Sequence, residues 1–170
     1  METEFAIEEM LQTTAHELIT VGTHDAVCVA FKKLGPMPQL DFNTGQQKVD
    51  DMGVPVLAEM CYVEFEVDEA DTSGRKKSVR RYMKLAISNE KHALRCLLES
   101  WFGAPLGVDA DGYARVRPAD IIGKSAKLQI LHKKKQSGDL KHVVDKVWPA
   151  QVEYAPQKAI DWSLDPDTVG

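Results

Sequence analysis

The tightest constraint on this chain is a two-residue alternation between Leu57 and Val67. Leu57, Cys61, Val63, Phe65 and Val67 fall on one side, and Ala58, Met60, Tyr62, Glu64 and Glu66 on the other. A pleated strand sends successive side chains to opposite faces, so this pattern predicts a strand laid against a core. The same period returns at Val79, Arg81, Met83, Leu85 and Ile87, with Arg80, Tyr82 and Lys84 opposite. It returns again at Ala126, Leu128 and Ile130, which alternate with Lys127 and Gln129.

The remaining elements follow from turn chemistry and helical spacing. Ala26–Lys33 is a compact apolar run, and Gly35-Pro36-Met37-Pro38 predicts its end because neither proline can donate to a ladder. Gly35 to Pro55 reads as a long loop, and Asp68–Lys77 as a polar turn around Gly74. The spacing of Leu94, Leu97, Leu98, Trp101 and Phe102 predicts a helix over Glu90–Phe102. Ser88 or Asn89 would cap it, and Gly103 and Pro105 would stop it. A strand over Ser125–His132, a turn over Lys133–Gly138 and a strand over Leu140–Trp148 complete a hairpin.

The order is strand, strand, strand, helix, strand, strand. That predicts a mainly β (α+β) chain, an OB-fold: a five-stranded Greek-key barrel with its helix between strands three and four. Ile7, Met10, Leu11, Ala15, Leu18 and Ile19 add an amphipathic helix before it. The expected organisation is an acidic N-terminal helix (1–21), the OB-fold domain (22–150) and an acidic, flexible tail (151–170).

Charge is distributed unevenly. Residues 1–72 carry 15 acidic and 3 basic side chains, a net of −12, while 73–148 carry 7 and 17, a net of +10. Such a basic segment implies a polyanionic partner unless the two regions neutralise each other on folding. Cys28, Cys61 and Cys96 are widely spaced with no CxxC pair, and the N-terminus METEFAIEEM is acidic. Reduced thiols, no export signal and a cytoplasmic location are the expectation. No apolar run approaches the roughly 20 residues a membrane helix needs, so no membrane partner is expected.

An OB-fold holds oligonucleotides across strands two and three, between the 1–2 and 4–5 loops. Single strands need cations for phosphates and aromatic faces for bases. The expected stacking platforms are Tyr62 and Tyr82, with Arg80 and Lys84 beside them. Arg75, Lys76 and Lys77 are expected in the 2–3 turn, and Lys133, Lys134 and Lys135 in the 4–5 turn. Other motifs fail on spacing. Gly123-Lys124-Ser125 lacks the earlier glycine of a phosphate-binding loop, since Pro118 stands there. Asp109-Ala110-Asp111-Gly112 places its glycine two positions too early for a calcium loop. His132 and His142 flank the hairpin with no cysteine near, which is too little for structural zinc. No nucleophile–base pair stands out, so neither enzyme activity, cofactor nor metal is expected.

Four stretches carry a family likeness: Gly22-Thr23 leading to Leu34-Gly35, Leu97-Leu98-Glu99-Ser100-Trp101-Phe102-Gly103, Asp120-Ile121-Ile122-Gly123-Lys124, and Val147-Trp148-Pro149-Ala150. In these the chain resembles the phage-encoded OB-fold single-stranded DNA-binding proteins. The resemblance implies non-specific coating of single-stranded DNA during phage replication and recombination, in the host cytoplasm. Self-association is a further expectation, as are contacts with replication or recombination proteins through the acidic N-terminal segment or the tail. The alternative is a protein-interaction module: a phage factor acting on a host machine, its acidic surface imitating nucleic acid.

Overall fold

The computed structural model describes residues 17–40 and 44–162, the last two by backbone alone. Its elements are β1 (Gly22–Pro38), β2 (Leu57–Ala70), β3 (Lys76–Lys84), α1 (Ala93–Phe102), β4 (Ser125–Lys134), β5 (Leu140–Pro149) and the short β6 (Asp161–Trp162). The first five strands form an antiparallel sheet in the order β3-β2-β1-β4-β5, and β6 joins β1 in parallel at Ala30 and Phe31.

The alternation of β2 fixes which face is inside: Cys61, Val63, Phe65 and Val67 are fully buried. Strand β1 serves two partners, β4 along Gly22–Val27 and β2 along Ala26–Pro38. Register irregularities at Cys28/Ala30 and Lys33/Gly35 bend it between them. The outermost strands, β3 and β5, touch without sharing a ladder, and α1 packs against both.

Each end of the core has its own cover. At one end lie Leu94, Leu97, Leu98 and Trp101 of α1. Trp101 stands edge-on to Phe65 at 5.2 Å, and its indole N–H donates to the Ser125 carbonyl at 2.8 Å. At the other end Ile19 is fully buried. Its N–H donates to His142 Nδ1 (3.0 Å), and its carbonyl accepts from His132 Nε2 (2.7 Å). The two histidines are cross-strand partners, and they grip the chain entering the sheet.

Several expected boundaries shift, each for a local reason. The helix begins at Ala93 because Asn89 shapes a preceding turn, its side chain accepting the Lys91 N–H at 2.8 Å. Strand β1 runs on through Pro36 and Pro38, pairing there with β2. A donor is dispensable on the other edge of such a strand. The expected loop therefore starts at Gln39, and among its described residues two isolated bridges, Leu40 with Gln47 and Val49 with Pro55, fold it back on itself before β2. Leu57, at the start of β2, is exposed, not in the core. Strand β4 extends to Lys134, which puts Lys133 and Lys134 in the ladder and leaves Lys135 to the turn.

The terminal segments also differ from expectation. Residues 1–16 of the expected N-terminal helix lie outside the described residues, and 17–21 are not helical. Of the tail expected to be flexible (151–170), residues 163–170 lie outside the described residues, while the chain before them is bonded to the sheet along 154–158 and paired with β1 at 161–162. No helix among the described residues is long and apolar enough to cross a membrane.

Candidate nucleic-acid interface

Strands β2 and β3 pair Tyr62 with Tyr82, Glu64 with Arg80 and Glu66 with Ser78. These residues share the face turned away from Val63, Phe65, Val79 and Met83. Tyr82 is 56% exposed and presents part of its ring to solvent. Tyr62 does not, being only 5% exposed. The Arg80 guanidinium lies 4.4 Å above its ring, and the Tyr82 ring stands 5.5 Å away. Tyr62 is therefore corrected from a stacking platform to a packed residue. The cause is the diagonal reach of a long side chain across an antiparallel pair.

Arg80 is itself engaged. Its Nε donates to Glu64 at 2.7 Å and one terminal nitrogen to the Tyr82 hydroxyl at 3.4 Å. Tyr82 and Glu64 together push the guanidinium pKa up from its ordinary value. Of the cations expected in the 2–3 turn only Arg75 lies there, Lys76 and Lys77 opening β3, and they are unequal too. Lys76 pairs with Asp68 at 2.7 Å. Lys77 binds Glu69 at 2.5 Å and the Leu18 carbonyl at 2.8 Å, with little of its side chain exposed. Lys77 is thus a structural cation and not a surface one. Arg75 and Lys84 are exposed and have no ion pair among the described residues.

These pairings offset part of the charge asymmetry. The acidic β2 and the basic β3 neutralise each other across one ladder, through Asp68–Lys76, Glu69–Lys77 and Glu64–Arg80. The hairpin of β4 and β5 has no such ion pairs among the described residues; the acid in its turn, Asp139, accepts from the Ser137 hydroxyl at 3.4 Å. Lys133, Lys134 and Lys135 are exposed, and Lys141 stands directly opposite Lys133. None of the four has an ion pair among the described residues. Like charges placed opposite each other destabilise a ladder. Such a tip costs the fold something and is suited to a polyanion.

The same face carries residues that sequence reasoning did not assign. Glu66 is fully buried, and its carboxylate accepts the Gln157 N–H (2.8 Å) and the Lys158 N–H (2.7 Å). Lys158 Nζ donates to the Ser78 hydroxyl at 2.6 Å, and the Lys76 N–H donates to the Gln157 side-chain oxygen at 2.7 Å. Tyr154 donates its hydroxyl to the Val67 carbonyl. Residues 154–158 thus lie as a strap over the part of the face nearest the β2–β3 turn. Arg80, Tyr82 and Lys84 lie beyond it along β3.

The remaining motifs hold local structure. The Gly123 N–H is spent on the Cys28 carbonyl and the Lys124 N–H on Ile121, so this glycine–lysine pair offers no amide cradle to a phosphate. Asp109 accepts the N–H groups of Tyr113 and Asp111 and pairs with Arg115 at 2.7 Å. Those bonds hold its own turn together and lower its pKa, the bond from Tyr113 first. Burial pushes the Cys28 thiol pKa up and that of Cys61 to about 12, whereas Cys96 is exposed. A search of protein-family models found none that matches this chain, and a search of curated proteins found no match either.

Proposed function

We propose that this chain is an OB-fold protein that binds single-stranded DNA without strong sequence preference, by stacking and phosphate contacts and not by catalysis. The observation that carries this reading is the uncompensated hairpin tip: Lys133, Lys134, Lys135 and Lys141, four exposed ammonium groups without an ion pair among the described residues. The strand order β3-β2-β1-β4-β5, the contact of β3 with β5 and the helix between β3 and β4 support the fold assignment. Tyr82 supplies the stacking ring and Lys84, Arg75 and the tip lysines the phosphate contacts. Arg80 is available to a phosphate that competes with Glu64. A role in coating single strands during phage replication and recombination is the biological form of this proposal.

Four of the five carboxylates of β2 (Glu64, Glu66, Asp68 and Glu69) are occupied by β3 and the strap, and Glu59 lies 3.9 Å from Lys33 of β1, which favours a reading from the cations. A fluorescence titration with labelled oligo-dT tests it. Tyr82→Ala should weaken binding by about 1–3 kcal/mol while leaving the thermal unfolding of the protein intact. Unchanged affinity would remove Tyr82 from the interface.

A further inference from the structure

The strap is bonded to the face in an unusual way. Its grip comes from a fully buried carboxylate, Glu66, which takes the backbone N–H groups of two successive residues, Gln157 and Lys158. A third bond runs the other way, from the Lys76 backbone N–H to the Gln157 side chain. Lys158 Nζ adds Ser78 at 2.6 Å and lies 3.9 Å from Glu64. All these partners sit on the face that also presents Arg80 and Tyr82, because Glu66 pairs with Ser78 and Glu64 with Arg80. The strap therefore divides one continuous face into a covered part and an open part.

We propose that residues 154–158 are a displaceable cover latched by Glu66, and that strap and single strand compete for the covered part of the β2–β3 face. This deepens the single-strand reading above and rests on it. The strap's own charge is not the working element, since it contributes a lysine and two backbone amides. What it does is occupy ground: while docked, a strand can use Arg80, Tyr82 and Lys84 but cannot extend toward Lys76 and Ser78. A ligand that needs the covered part binds only the fraction of molecules with the strap released, so its apparent affinity falls by that fraction. Weakening the latch should raise it.

Gln157→Pro deletes the N–H that Glu66 accepts, at an exposed position outside helix and strand. Glu66→Gln, a near-isosteric change, weakens the same latch from the other side. Anisotropy titration with an oligo-dT of about 15 nucleotides, near the upper site size of a single OB-fold, should show both variants binding at least five-fold more tightly than the unaltered chain. In that unaltered chain, saturating oligo-dT should also speed hydrogen exchange at the Gln157 and Lys158 amides. Equal affinity in all three proteins, with both amides still protected in the complex, overturns the cover and leaves the single-strand reading standing. Absence of binding by all three overturns both.

Discussion

Glu69 shows how much of this structure depends on single charged residues at the β2 end of the sheet. Burial pushes its carboxyl pKa up, but bonds from Lys77 and Thr20 outweigh that and hold it below the ordinary value. A carboxylate with a lowered folded pKa stabilises the protein above its unfolded value of 4.5, and the effect is lost as pH falls through the folded value. Glu69→Gln should cost about 1.5–3 kcal/mol at pH 7, the scale of hydrogen bonds to a charged group. The gap to the unaltered protein should shrink as pH falls below 4.5, as read by urea denaturation at pH 7 and in acid. An equal gap at both pH values would show that the stabilisation does not come from the ionised carboxylate. Tyr62 makes a contrasting case: 95% buried beneath Arg80, it belongs to the packing of the face. Tyr62→Ala should lower stability by about 3 kcal/mol, the scale of aromatic truncation in a core. A variant of unchanged stability would contradict its burial.

At the scale of elements, the β4–β5 hairpin and the strap make opposite demands on the fold. Lys133 and Lys141 oppose each other in a ladder, and neither has an ion pair among the described residues. Lys141→Glu should therefore raise stability by about 0.2–1 kcal/mol, because an opposite-charge pair replaces a like-charge one. The same change should weaken oligo-dT binding, measured on the same preparation. A variant both more stable and equally tight would separate the tip from the interface. The strands themselves were legible in the sequence because pleating imposes period two, which Cys61, Val63, Phe65 and Val67 obey while Leu57, at the start of β2, is exposed. The strap was not, because Glu66 holds backbone N–H groups, which every residue except proline supplies. Nor was the burial of Tyr62, since nothing in the local pattern shows whether an arginine two positions along the neighbouring strand folds over a ring. The start of α1 moved because Asn89 stabilises a turn as readily as it caps a helix.

Over the whole molecule, the sequence shows an acidic first part and a basic second part, and folding turns this into two different surfaces. One is the β2–β3 ladder, where opposite charges meet and cancel. The other is the lysine tip, where they do not. Counting charge by segment identified the imbalance, yet it could not say where it would survive, because strand register decides which residues face each other. The central claim concerns that surviving charge. Single-stranded DNA releases counterions as phosphates are neutralised, so log K falls with log salt at about −0.7 per contact. The most direct measurement is a labelled oligo-dT titration at several sodium chloride concentrations. Contacts from Lys133, Lys134, Lys135 and Lys141 predict a slope of about −3. No binding even at about 50 mM salt, or binding with a slope near zero, would contradict the account.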